Sequence, residues 1–367
     1  MLSFLDLPEE QCLHRLRLIH QVVADVRSLL QEELLPAGTG GHALPVAVKV
    51  TTALNFFASG SYQGAIGGLS RVSRSAAHKC IRQVMDGLFG RMSTNVNFPC
   101  NDNNQNERAV RFAFLVGFPQ VQGAIDCTHV AIRAPPEQPG VSVNHKGFCS
   151  INVQLVCNHK KKFMQVCAKF PGSRHNAFIL RKSNIPNLFL PGNRHKLGLQ
   201  LKNSELKSLE LQALAADAGD KGHPLQTCLM INVRNPNNEA QERYNESHMT
   251  TRCVIKQAIG ILKMRFRCLA RSGGALQYSP ARVSRMIVVC CVLHNMVQQR
   301  ELVMEDDQSA HQSSSDEENI EEEEEVDEDN EQYEDGVEEA RGAEWPILYV
   351  LTEEFASPGN FGSTQNQ

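Results

Sequence analysis

The chain has 367 residues, 41% of them hydrophobic, enough for about two domains with a real core. Its longest apolar run, Met286–Leu293, falls far short of the ~20 residues a membrane-crossing helix needs, and the N-terminus carries Glu9, Glu10, Arg15 and Arg17 where a secretory signal would be apolar, so neither a membrane nor a secreted protein is expected. The net charge of −4 hides an asymmetry: residues 301–340 hold 20 Asp and Glu and no Lys or Arg, leaving 21 acidic against 37 basic residues elsewhere, a net of +16. A basic body with an acidic tail points to a polyanion partner, of which nucleic acid is the commonest. The twelve cysteines contain no Cys-x-x-Cys pair and sit in apolar segments, which reads as reduced buried thiols rather than zinc ligands or disulfides.

The first element expected is one helix over residues 1–35, with Leu13, Leu16, Ile19, Val22, Val23, Val26 and Leu30 at helical spacing. After a Gly-rich break at Ala37–Gly41, a second helix should run from Pro45 to Ser59 and stop at Gly60. Tyr62–Leu69 reads as a short helix with Ile66 and Leu69 inward, and Ser70–Ser73 as a turn. Ser73 can then cap a helix over Arg74–Phe89 whose apolar side is Ala77, Ile81, Val84 and Leu88. Arg71, Arg74, His78, Lys79 and Arg82 fall on the other side. Short helix, tight turn and basic second helix is the helix-turn-helix pattern, with those five as candidate DNA-binding residues; a three-helix bundle with a solvated basic face is the plainer alternative.

Residues 93–108 are Asn-rich and polar, a linker, and beyond them the period changes. Gly123–Ala134, Ile151–Cys157 and Phe163–Phe170 read as strands, with a hairpin turn at His159–Lys162 that could also touch phosphate. A turn at Gly172–Asn176 leads into a short helix ending near Lys182. Residues 183–216 are poorly patterned, and the strand expected before Asp220 is small and mixed. Leu225–Val233 is apolar, and two long helices follow, about 246–269 and 280–300. Strands followed by helices on both faces make a mixed α/β domain. His294, in Cys291-Val-Leu-His-Asn295, reads as a packing histidine before a ligand.

Two carboxylates stand out. Asp126 interrupts an apolar strand, where a charge is costly unless paired or metal-bound. Asp220 lies in Gly219-Asp-Lys-Gly222, and a helix over Arg252–Arg267 could lie against both. Two aspartates on neighbouring strands and an acid from a late helix is how RNase H-like nucleases hold two divalent cations, which activate water and stabilise the leaving oxygen of a phosphodiester.

At these residues the chain resembles the PIF/Harbinger transposases, above all their domesticated vertebrate branch, the Harbinger transposase-derived nucleases. The likeness is carried by Asp126-Cys-Thr-His129, Ser150-Ile-Asn-Val-Gln154, Pro171-Gly-Ser-Arg-His175, Gly219-Asp-Lys-Gly222, Arg243-Tyr-Asn245, Arg265-Phe-Arg-Cys-Leu269, Ala275-Leu-Gln-Tyr-Ser-Pro280 and Cys291-Val-Leu-His-Asn295, in the family's order from about residue 10 to 300. The resemblance implies an α-helical region over 1–105 with a helix-turn-helix at about 61–91. An RNase H-like DDE domain of α/β class over 106–300 would follow; the acid-rich composition of 301–345 cannot build a core and is expected to be a disordered tail, and 346–367 is unassigned. The resemblance also implies Mg²⁺ or Mn²⁺ as cofactor, hydrolysis of DNA phosphodiesters, a Myb-like DNA-binding partner, and residence in the nucleus and also the cytoplasm.

Carried over residue by residue, the family's acidic ligands fall on Asp126, Asn176, Asp220 and Lys256, the last with 35 residues between it and Asp220, so two of the four are substituted. Exchanging a glutamate for a lysine turns attraction for a cation into repulsion, about 4 kcal/mol per unit charge at ~4 Å and an effective dielectric near 20. The expectation is that Lys256 pairs with Asp126 and Asp220 where the metals sat, and that cleavage is weakened or lost. A non-enzymatic DNA-binding scaffold and a decayed transposase copy are the rival readings. The acidic tail is expected to dock on the basic body in place of DNA.

Overall fold

The structure is a computed structural model that describes residues 8–35, 44–61, 63–98, 110–112, 114, 121–136, 140–185, 213–215, 229–230 and 236–308. The tail beyond 308, Asp220 and most of 183–228 lie outside the described residues.

The N-terminal stretch forms three helices rather than one: α1 (Glu9–Leu16), α2 (His20–Leu29) and α3 (Gln31–Leu34). Arg17 adopts a left-handed conformation with φ 56°, ending α1, and the Glu9 carboxylate accepts the His20 N–H at 3.1 and 3.2 Å, supplying a partner to a donor that the start of α2 leaves unsatisfied. The apolar spacing survives the break, because Leu16, Val22, Val23, Val26 and Leu30 all reach the core.

Helix α4 (Val46–Ser59) is almost wholly buried; Thr51 and Thr52 return their hydroxyls to carbonyls one turn back at 2.9 and 2.6 Å, so neither is left unsatisfied. It ends at Gly60, φ 68°, where a Cβ would stand 3.0 Å from the Cys268 Cα. Helix α5 (Gln63–Ser70) buries Ile66 but leaves Leu69 65% exposed, against the sequence expectation. The turn at Arg71–Ser73 folds over Gly67, so this short helix packs through residues 66 and 67 and turns Leu69 outward. Helix α6 (Arg74–Phe89) follows, capped by Ser73, whose Oγ accepts the Ala76 N–H at 3.2 Å, and α7 (Met92–Asn95) closes the helical region.

The sheet holds β1 (Val121–Ala131), β2 (Ser150–Cys157), β3 (Phe163–Pro171), β4 (Ala213–Ala215) and β5 (Leu229–Met230) in the order β3-β2-β1-β4-β5. The first three run antiparallel, and β4 and β5 run parallel to β1. The β2–β3 turn is closed by the Asn158 side chain, whose Oδ1 accepts the Lys160 and Lys162 N–H groups at 3.0 and 2.9 Å. Helix α8 (Asn176–Lys182) packs on β2, α9 (Glu239–Arg265) lies across β1, β2 and β4, and α10 (Pro280–Gln308) packs on β3, α6 and α7. Helix α10 runs eight residues into the stretch expected to be disordered.

One hydrophobic core runs without interruption from α1 and α4 through α9 and α10 to the sheet residues Ala124, Val130, Val153 and Leu155. The opposite sheet face has a smaller core of Ile125, Val156, Met164, Leu180, Ile185 and Leu229. The protein is thus a mixed α/β fold with helices on both faces of its sheet. Among the described residues, Pro280–Arg300 is the one stretch long and apolar enough by composition to cross a membrane, and its apolar window is 72% buried inside the fold, as in a core helix. All ten described cysteines are free thiols, seven of them buried.

Candidate functional site

The unbroken register between β1 and β2 settles which face each side chain takes. Asp126 lies opposite Leu155, on the face that α9 covers; His129 lies opposite Asn152, three residues on and therefore on the other face. Asp126 is half buried, and its Oδ1 accepts the Cys127 N–H at 2.7 Å. The β1–β4 register runs to Ala124 opposite Ala215, two residues before Asp126, and Asp220 lies outside the described residues.

Helix α9 turns His248, Thr251, Ile255, Ala258 and Leu262 inward. Lys256 is one residue past Ile255, about 100° around the helix, and is exposed. It has no ion-pair partner among the described residues, so the pairing with Asp126 expected from sequence is not formed. Asn176, the first residue of α8, accepts the Asn152 side-chain N–H on its Oδ1 at 3.0 Å; Asn152 also donates to the Arg174 carbonyl at 2.8 Å. Since Asn152 shares the face of His129, Asn176 and Asp126 lie across the sheet from one another. Among the described residues no three His, Cys, Asp or Glu side chains cluster; Asp126 is the one carboxylate of the four family ligand positions that lies among them, and Asp220 lies outside them.

His129 has a structural part instead. Ser150 Oγ accepts from Asn144 Nδ2 at 3.1 Å and shares a hydrogen bond with His129 Nδ1 at 3.0 Å. Burial, followed by the charges of His145, Lys263 and Lys146, pushes the His129 pKa down to about 4. Gly172 backs onto the same serine: a Cβ there would fall onto Ser150 Oγ and stand 2.8 Å from the Ser142 carbonyl.

A second site lies on α6. Arg71, Arg74, Lys79 and Arg82 are exposed, and none has a carboxylate partner among the described residues. His78, which the sequence groups with them, is half buried and occupied: Arg282 Nη1 donates to its Nε2 at 2.9 Å. Desolvation, then Arg282 and Arg82, holds the His78 pKa below its ordinary value. Arg282 stacks 4.7 Å over the Tyr278 ring, whose hydroxyl accepts from Gln63 at 2.8 Å, and Arg285 pairs with Asp86 at 3.1 Å. An open basin of about 590 Å³ lies over Gln63, Ser73, Arg74, Ser75, His78 and Lys79. The start of α10 thus supports the basic face of α6. The sequence reading missed Tyr278 and Arg282; the signal available was the polar Gln277-Tyr-Ser-Pro280 run ahead of an apolar helix.

A family model described as DDE superfamily endonuclease matches residues 125–295. "Putative nuclease HARBI1" of Homo sapiens is 35% identical over 255 residues, 70% of this chain and 68% of its own length; that of Xenopus laevis is 30% identical over 261 residues, 71% and 70%. The chain belongs to the Harbinger transposase-derived nuclease family. "Protein ALP1-like" of Arabidopsis thaliana, 27% identical over 267 residues, is a more distant relative covering 72% of this chain and 63% of that one. No solved structure matches.

Several of the Harbinger motifs in this chain hold the scaffold. His294 donates from Nε2 to the Lys161 carbonyl at 2.9 Å and accepts from Arg265 on Nδ1 at 3.2 Å, which makes it the packing histidine expected from sequence. Ser150, Asn152, Gly172 and His129 tie the ends of β1, β2 and β3 together. In this member of the Harbinger family, Asp126 on β1 and Lys256 on α9 are the two described ligand positions on that side of the sheet, one half buried and one exposed.

Proposed function

We propose that this Harbinger-type chain is a DNA-binding protein on an RNase H-like DDE endonuclease scaffold, and that its metal-dependent cleavage of phosphodiesters is lost. The observation that carries the reading is the basic face made by Arg71 in the turn and Arg74, Lys79 and Arg82 on the capped helix α6, four exposed cations without a carboxylate partner among the described residues. Helix α5, the turn and α6 make a helix-turn-helix in which α6 is the element for the major groove, and Arg71, Arg74, Lys79 and Arg82 meet phosphate or base edges. The strand order β3-β2-β1-β4-β5 supports the RNase H-like reading, and the β1–β4 register supports Asp220 as the neighbour of Asp126.

Loss of cleavage rests on Lys256. Where the family pattern has glutamate, this chain brings a positive charge to the helix that packs over Asp126, and Asn176 is bonded to Asn152 on the far face. Asp126 and Asp220 are the two ligands retained for Mg²⁺ or Mn²⁺. A Myb-like DNA-binding partner and residence in the nucleus and cytoplasm belong to the same proposal, on the strength of the family alone.

Fluorescence anisotropy with duplex DNA at several salt concentrations tests the reading. Each phosphate contact contributes a slope of about −0.9 to the logarithm of affinity against that of salt, so Arg74→Glu with Lys79→Glu should weaken binding on every sequence and flatten the slope by about 2. An unchanged affinity and slope would remove α6 as the interface.

A further inference from the structure

We propose that the acidic segment 309–340 of this same chain docks on the basic face of α6 and competes there with DNA. The inference deepens the reading above and rests on that face being a DNA interface. Residues 309–340 hold 16 of the chain's 41 acidic residues and no Lys or Arg. Among the described residues nothing neutralises this face: Glu33 is taken by Arg91, Asp86 by Arg285 and Asp25 by Arg300, whereas Arg71, Arg74, Lys79 and Arg82 have no carboxylate.

The tether is suited to the purpose. Helix α10 begins against α6, where Arg282 touches His78 and Arg285 pairs with Asp86, and it ends at Gln308. From residue 282 to residue 308 the helix rises roughly 39 Å. A chain of 32 residues spans at most roughly 105 Å when extended, so the segment can return along α10 and still lay its acids over the basin. A tethered competitor of this kind acts at an effective concentration of about a millimolar, above that of most free ligands. The segment then behaves as an internal polyanion: it screens α6 from weak, non-specific DNA contacts and yields to a site that offers more phosphates or base contacts.

The test uses the full chain and a variant with the 16 acids of 309–340 replaced by Asn and Gln. Carbodiimide crosslinking followed by mass spectrometry reads the contact directly, through an amide between Lys79 and a glutamate or aspartate of the segment. That crosslink should form in the full chain, fade in ~1 M salt, where screening acts over about 3 Å, and weaken in Arg74→Glu/Arg82→Glu. Anisotropy reads the consequence. If the segment covers the face nine-tenths of the time, neutralising it tightens DNA binding about tenfold at low salt. Absence of the Lys79 crosslink overturns the proposal whatever the DNA affinity does. A Lys79 crosslink with no DNA binding by either protein keeps the docking and overturns the DNA reading of α6 instead. A crosslink with equal DNA affinity in both proteins overturns the competition.

Discussion

Asn295 holds Phe163 by both of its backbone groups. Its Oδ1 accepts the Phe163 N–H at 2.8 Å and its Nδ2 donates to the Phe163 carbonyl at 2.7 Å, while the other amide proton reaches the Asn95 carbonyl at 2.7 Å. Because β3 is the edge of the sheet, these are groups that no further strand would satisfy, and one side chain closes the edge onto α10 and the end of the helical region. Asn295→Leu keeps the volume and removes all three bonds. At about 1–3 kcal/mol for each buried group left unmade, the variant should lose roughly 3 kcal/mol in urea unfolding. A midpoint equal to that of the parent would contradict the clamp.

The neighbouring His294 makes the fold sensitive to acid. It is fully buried, and burial, then Arg265, brings its pKa down to about 3 from an ordinary 6.5. The unfolded chain takes up a proton near pH 6.5 that the folded chain refuses, so this contribution is complete above 6.5 and lost as the pH falls toward 3. Between pH 6.5 and 4 the loss is on the order of 3 kcal/mol. His129, with its pKa at about 4, adds in the same direction. Thermal unfolding from pH 7 to 4.5 should show a falling midpoint, and His294→Gln, which retains a donor and an acceptor, should show a shallower fall. Equal slopes would mean that His294 is not neutral in the fold.

Gly172 tests the backing of Ser150. A methyl group there meets the Ser150 hydroxyl, the Ser142 carbonyl at 2.8 Å and the Ser150 carbonyl at 3.0 Å. Two of these are backbone atoms that cannot swing aside, so Gly172→Ala should cost roughly 1–3 kcal/mol by overpacking. It should also disturb His129, whose imidazole resonances in NMR would shift through Ser150. Neutral stability with unmoved His129 resonances would show that the contact relaxes freely.

The scaffold was legible in the sequence wherever local pattern and burial agree. The three antiparallel strands, the Ser73 cap and the Ala77, Ile81, Val84 and Leu88 face of α6 follow from period and capping chemistry, which tertiary contacts only reinforce. The break at Arg17 was not legible, because it depends on Glu9 reaching the amide of His20 across a turn. Leu69 was misread because two turns of helix offer too few apolar positions to fix a face. At the candidate site, a charge in an apolar strand singled out Asp126, and the family resemblance placed Lys256 at the last ligand position. Neither could show that Asn176 faces away, since that depends on a hydrogen bond to Asn152 on another strand, or that Lys256 points outward. The support of α6 by Arg282 and Tyr278 joins residues about two hundred positions apart, which no local pattern encodes.

The most direct test of a dismantled metal centre is plasmid cleavage in Mg²⁺ and in Mn²⁺. The proteins compared would be the chain itself, Asp126→Ala, Lys256→Glu, and Lys256→Glu combined with Asn176→Asp. Because Asn176 lies across the sheet from Asp126, the charge at position 256 should decide the outcome: no cleavage by the chain or by Asp126→Ala, and a gain with Lys256→Glu that adding Asn176→Asp leaves little changed. Metal-dependent cleavage by the chain itself, abolished in Asp126→Ala, would contradict the loss of the centre and make this protein a working nuclease.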